Sequence, residues 1–240
     1  MVIRLHRRIL TAAVLLLTTA ILLSWIAAQP VRTVFSPVRM SESIIVLDAG
    51  HGGADGGTSG SDGTLESTLN LQIVRRLEWL FLFLGQQTVL TREDEQDLSG
   101  PEDHTIGQQK VSDIRARVEL VNSLDGAFLI SIHQNYLTGH PEVHGAQVFY
   151  SQSEEAHQAA LAVQDALNLH INPRNEKNCK PAPTEVYLMA HVTAPAILIE
   201  CGFLSNTQET QLLASADYQK ELSAVIAAGY LQYHTKEGAA

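Results

Sequence analysis

Ser43-Ile-Ile-Val-Leu-Asp-Ala-Gly-His-Gly-Gly53 joins an unbroken apolar run to a glycine-rich turn. Such a run, stopped by turn residues, reads as a strand buried on both faces, the kind found in parallel sheets. Its acid and its imidazole come where the strand stops, which is where open α/β sheets gather functional groups. The same alternation repeats outward from this stretch. Leu69, Ile73, Leu77, Leu80 and Leu84 recur at helical spacing over Leu65 to Leu84, and Gly85 closes the helix. Gln87 to Thr91 reads as a short strand, and residues 92–110 as a polar, acidic loop around Gly100-Pro101. Ile114, Val118, Val121 and Leu124 mark a second helix that ends at Gly126. Two further strands follow, Ala127 to His133 and Gly145 to Tyr150. Ser153 caps a helix to about Leu169, and the proline-bearing residues 172–184 read as a loop. Ala196 to Glu200 is a fifth strand, and 216–233 is a closing helix. Alternating strands and helices predict a single α/β domain. Its sheet should be mostly parallel and twisted, with helices on both faces.

The 240 residues suffice for one domain with a sizeable core. The first thirty differ from the rest. Arg4, Arg7 and Arg8 precede Ile9 to Ala28, a run without a charge that is long enough to cross a bilayer as a helix. Residues 1–30 therefore read as a transmembrane signal-anchor with the N-terminus cytoplasmic and the remaining chain outside. A cleaved signal, whose apolar region is usually about 7–15 residues, is the alternative. Residues 31–42 read as a linker and 43–236 as the folded domain. The anchor takes three of the 16 Lys+Arg and none of the 26 Asp+Glu, which leaves 13 against 26, a balance of −13. A nucleic-acid binder shows the opposite sign, so no nucleic-acid partner is expected. Cys179 and Cys201 form no C-x-x-C and are read as free thiols.

Three segments at strand ends carry the chemistry: Asp48-Ala-Gly-His51, Ser131-Ile-His133 and Ile199-Glu200. His51, His133 and Glu66, which opens the first helix, make up a ligand set for catalytic zinc with a position left for water. Glycines around His51 let the backbone bend so that the ring can aim inward. Glu200 ends the apolar strand Ala196-Ile-Leu-Ile199. Burial there should raise its pKa and suit it to proton transfer near neutral pH. Taken singly, each residue also has a plainer reading. A histidine at a strand end can be a hydrogen-bonded structural residue, Glu66 a first-turn helix acid, and Glu200 half of an ion pair.

Other functions fit less well. Gly50-x-Gly52 is followed by Asp55 where a dinucleotide fingerprint needs a third glycine, and no G-x-x-x-x-G-K-[ST] occurs. There is no G-x-S-x-G elbow, although Cys201 could serve as a nucleophile with His133 as its base. A wall-binding protein that keeps the fold without catalysis is a further alternative. His140 and His144 flank Pro141 in a loop and read as surface residues. The acidic stretch Glu93-Asp-Glu-Gln-Asp97 lacks calcium-loop spacing and reads as solvated.

Four ordered motifs resemble those of the zinc-dependent N-acetylmuramoyl-L-alanine amidases. They are Leu47-Asp-Ala-Gly-His-Gly-Gly53, Leu65-Glu-Ser-Thr-Leu-Asn-Leu71, Ser131-Ile-His-Gln-Asn135 and Ile199-Glu-Cys-Gly-Phe-Leu-Ser-Asn206. Thr91-Arg92, Arg117 with Val121-Asn122, and Gly145-Ala-Gln-Val-Phe-Tyr150 fit the connecting pattern, so the likeness covers about 43–234. The resemblance implies one zinc ion held by His51, Glu66 and His133, with Glu200 as the catalytic glutamate. It also implies cleavage of the amide between N-acetylmuramic acid and L-alanine in peptidoglycan. Asn172-Pro-Arg-Asn175 to Lys180 and Gly145-Ala-Gln147 resemble the sporulation-specific subgroup that helps make muramic-δ-lactam in spore cortex, which acts in germination. In that subgroup a lipoprotein partner can be needed for activity. Arg92, Arg117 and Asn135 are candidate substrate contacts. The two arginines could position loops or bind the carboxylates of the stem peptide, and pairing with the acidic loop fits them equally well.

Overall fold

Residue Asp48 sits at the carboxyl end of β1 (Ile44–Ala49), and most of the architecture follows from how β1 is flanked. The structure, a computed structural model, describes Thr18, Thr19 and residues 43–237. β1 pairs in parallel with β2 (Gln87–Leu90) on one side and β3 (Ala127–Asn135) on the other. β3 pairs in parallel with β6 (Ala196–Phe203). β4 (Gln147–Tyr150) and β5 (Lys180–Pro181) complete a six-stranded sheet in the order β2-β1-β3-β6-β4-β5. Between the strands run α1 (Glu66–Phe83), α2 (Ile106–Asn122), α3 (Glu154–His170) and α4 (Tyr187–His191). α5 (Thr207–Leu213) and α6 (Ala216–Glu237) follow β6.

The period-two alternation of β1 sorts its side chains onto two cores. Ile45, Leu47 and Ala49 meet α1, α3 and α6 through Leu69, Ile73, Val163, Ile226 and Tyr230. Val46 faces the other way, toward Val121 of α2 and Leu188 and Met189 of α4. Helices thus cover both faces, as the alternation in sequence predicts. β1, β2, β3 and β6 run in one direction, so their carboxyl ends lie together.

Several expectations change. β4 is antiparallel to β6, so the sheet is mixed and its mostly parallel part ends at β6. β3 runs on to Asn135 and β6 to Phe203, so His133 and Glu200 lie inside paired strands, directly opposite one another. The register shifts between His133 and Asn135, a bulge that turns the strand just past the imidazole. The loop read over 92–110 ends early. Thr105 caps α2 through the Gln108 amide while the Gln108 side chain bonds back to Thr105, a reciprocal capping box. The helices α4 and α5 were not expected from the sequence. The expected membrane span over 9–28 and the linker over 31–42 lie outside the described residues, apart from Thr18 and Thr19. Among the described residues, no helix is long and apolar enough to cross a membrane.

Candidate active site

The turn after β1 places His51 by an unusual backbone conformation. Its φ is 63°, in the left-handed region that a residue with a Cβ rarely adopts. The ring then lies between two acids. Nδ1 is 2.9 Å from Asp55 Oδ2, and Nε2 is 3.3 Å from Glu66 Oε1. Asp55 is in turn 2.8 Å from Lys110 Nζ on α2. A partner at Nδ1 fixes which nitrogen is free for a metal, the usual device for orienting a ligating imidazole.

Glu66 opens α1, where the helix dipole favours negative charge. Its carboxylate is held at both oxygens. Oε2 accepts from the Thr58 amide and hydroxyl at 2.9 and 3.1 Å. Oε1 accepts from the Gln134 amide at 3.1 Å and lies 3.0 Å from His133 Nδ1. One oxygen is therefore anchored while the other faces both imidazoles. Two glycines make the approach possible. A Cβ on Gly50 would overlap the His133 ring, and one on Gly57 would meet Glu66 Oε2 and the His51 ring.

Ligand atoms of His51, Glu66 and His133 all lie within 4.8 Å of one another, and such a group could hold a metal ion. The charge states of Glu66 and His51 tell the same story. Burial would raise the Glu66 carboxyl, but hydrogen bonds from His133 and His51 outweigh it and hold the group far below the usual carboxylate range. Burial would lower His51, yet Glu66 and Asp55 pull it up to about 9. The pocket is thus built for positive charge, whether a proton or a metal cation supplies it.

Glu200 is different. It faces His133 across β3 and Gln147 across β4. Its Oε2 is buried without a hydrogen-bond partner in the protein. Burial first, with the nearby Glu66 charge adding, lifts its pKa to about 7 against the pull of the histidines. Cys201 is fully buried, and burial beside Glu200 pushes its thiol far up. That removes the thiolate a nucleophile needs. Both cysteines are free thiols.

The candidate substrate contacts divide. Arg117 is 1% exposed and spends every donor inside. It bonds Asp48 at 2.6 Å, both oxygens of Asp113, and the carbonyls of Ala49 and His51. Arg92 is likewise buried and bonds the carbonyls of Ala49, Ser67 and Asp94. Both guanidiniums therefore brace the His51 turn, which corrects the reading of them as substrate contacts. Asp48 completes the brace. Burial would raise it, but Arg117, His133 and the Ser131 hydroxyl hold it at about 2. Asn135 is partly open at the bulge, with its Oδ1 accepting from the Tyr136 amide.

A cavity of about 220 Å³ opens onto the site, and His51, His133, Lys110 and Tyr187 help to line it. Sequence reasoning missed Asp55, Lys110 and Tyr187. Only Asp55, four residues after His51 in the glycine-rich turn, left a signal that could have found it. His140 and His144 stay on the exposed loop, bonded to Glu142.

One carboxylate prepared for a cation and another holding a proton near neutrality, at the open end of an α/β sheet, is the layout of a metal-assisted hydrolase. The chain belongs to the Amidase_3 family, N-acetylmuramoyl-L-alanine amidase, which matches residues 45–232. It is an N-acetylmuramoyl-L-alanine amidase that acts on peptidoglycan. The germination-specific N-acetylmuramoyl-L-alanine amidase of Bacillus subtilis is 35% identical over 83% of each chain. Among solved structures, the CwlD amidase of Clostridioides difficile, in complex with the GerS lipoprotein, is 32% identical. It superposes with a TM-score of 0.77 over 81% of this chain and 99% of that one. The amidase AmiC2 of Nostoc punctiforme is 28% identical, with a TM-score of 0.68 over 82% and 99%.

Proposed function

We propose that His51, Glu66 and His133 hold one zinc ion and that Glu200 moves the protons of amide hydrolysis. The observation that carries this is the contrast in one site between a triad poised for a cation and a buried glutamate left unpaired. Two imidazoles and a carboxylate, with a position left open, match the donor set of catalytic zinc. Zinc bound there would polarise the scissile carbonyl and acidify a water. Glu200, charged at the start of the cycle, takes the proton of the attacking water and delivers it to the leaving nitrogen. Asp55 holds the His51 tautomer, and Arg92 and Arg117 keep the turn in place.

The bond cut is the one between the lactyl group of N-acetylmuramic acid and L-alanine. Likeness to the germination-specific amidase supports action in spore cortex, in the making of muramic-δ-lactam. Likeness to the amidase solved with a lipoprotein supports a lipoprotein activator. The amidase works outside the cytoplasm, tethered by residues 1–30 and a linker over 31–42, with 43–236 as the catalytic domain. Mass spectrometry of purified peptidoglycan after incubation with the zinc-loaded full chain tests the proposal. Intact stem peptides with free L-alanine amino termini, and glycan free of them, are expected. Cut glycan, or stem peptides cut internally, would contradict it.

A further inference from the structure

The site occupies the carboxyl ends of the parallel strands, and the opposite end of the sheet has its own character. α1 leaves the site at Glu66 and reaches that far end, where β2 starts at Gln87 beside Ile44 of β1. The last turns of α1 present Trp79 and Phe83, which are 72% and 80% exposed, and Leu82, which is 48% exposed. Trp79 and Phe83 are four residues apart and so share one helix face. Arg75 stands one turn before Trp79 on that face, its guanidinium shared between Glu78 at 3.0 Å and Glu93 at 3.7 Å. Phe81, on the opposite face, packs edge-on against Tyr230, so the helix end is seated in the core. Single exposed apolar side chains are ordinary, but two aromatic side chains this exposed on one helix face, with Leu82 beside them, suit a surface with a partner.

The route of the chain says which partner. The polypeptide enters the domain at Ile44, at this same end of the sheet. Residues 29–43 separate it from the uncharged run 9–28, and even fully stretched they reach only roughly 50 Å. A domain so tethered stays within that reach of the bilayer. Indole and phenyl rings suit the boundary between headgroups and acyl chains. We infer that the Trp79–Phe83 face docks on the lipid surface that holds residues 9–28, which turns the active site away from the membrane toward the wall polymer. This inference rests on the anchor reading proposed above.

Trp25 and Trp79 are the two tryptophans of the chain, which allows a direct test. The full chain, as Trp25→Phe or Trp79→Phe, is reconstituted into phosphatidylethanolamine–phosphatidylglycerol vesicles. Quenching by lipids brominated at shallow or deep acyl positions is then compared with quenching by aqueous iodide. In Trp25→Phe, shallow bromolipids should quench the remaining Trp79 about twofold or more, as fits an indole at headgroup level. Adding Phe83→Glu should reduce that quenching. A Trp79 open to iodide and untouched by bromolipid overturns the inference. So does a Trp79 shielded from both, since protein would then cover the patch. In Trp79→Phe, Trp25 reports the anchor separately. If neither shallow nor deep bromolipids quench Trp25, which stands three residues from the end of the run 9–28, the anchor reading fails and takes the inference with it. If Trp25 is quenched and Trp79 is not, the docking face alone fails.

Discussion

Glu66 and Glu200 sit within one site and are treated in opposite ways. Glu66 has hydrogen-bond partners at both oxygens and two imidazoles in front of it, and it stays charged. Glu200 lies in an apolar strand with a buried oxygen that has no hydrogen-bond partner in the protein, and it holds its proton up to about 7. The difference teaches that residue type does not assign a role. Partners that favour the charged form make a ligand, and burial without partners makes a proton carrier. Glu66 gains its partners from the loop before α1 and from the bulged end of β3. Glu200 gains its isolation from neighbouring strands that offer their backbone groups to the ladder.

The comparison is broken most severely at Glu200. Glu200→Gln keeps the shape, removes the titrating proton and should lower turnover by about 10³-fold while zinc content stays at wild-type level. Steady-state release of free amino termini from peptidoglycan reads this. Near-normal turnover would remove Glu200 from the chemistry. In the wild-type enzyme the rate should fall on the acid side, because Glu200 must start unprotonated. That limb should lie at or below about 7, since a bound cation favours the charged form.

The next largest effect tests what holds the His51 turn, beside Glu66, in place. Asp48→Asn leaves the Arg117 charge buried beside a weaker partner, a change that costs on the order of 3 kcal/mol. Chemical denaturation should show it as a lower midpoint at unchanged slope. Asp48 also gives acid sensitivity a sign. Its folded pKa of about 2 lies below the ordinary 3.8. Its stabilisation is therefore complete above that value and is lost as pH falls from about 4 through 2, an effect of roughly 2 kcal/mol. A stability curve flat across this window would contradict the brace.

The smallest effect sharpens the comparison by leaving both glutamates alone. Thr105→Ala removes the α2 cap and should cost about 1 kcal/mol of stability. Turnover per folded molecule should be unchanged, as measured by activity at temperatures well below unfolding. A loss of turnover larger than the loss of folded protein would mean that α2 positions Lys110 and Arg117 more tightly than the brace requires.

Much of this was legible in the sequence, for reasons visible in the residues. Ile44 to Leu47 read as a doubly buried strand because no polar residue interrupts it, and the nearness of His51, His133 and Glu200 followed from parallel strands carrying them to one edge of the sheet, although β3 and β6 run on past them. What escaped depends on direction and burial. Four residues of β4 carry no mark of running antiparallel. Loop bracing and substrate contact could not be told apart for Arg92 and Arg117, because their carbonyl partners at Ala49 and His51 exist only once the turn folds. The reciprocal bonds of Thr105 and Gln108 were spelled out as T-x-x-Q, so the early start of α2 could have been read. The left-handed backbone at His51 could not, since nothing about a histidine announces it.

The division of labour between the two acids is tested most directly by metal analysis of three purified proteins: wild type, Glu66→Ala and Glu200→Gln. Wild type and Glu200→Gln should each carry one zinc per chain, while Glu66→Ala should lose most of it and all but a trace of activity. Full zinc in Glu66→Ala, or loss of zinc in Glu200→Gln, would contradict the account.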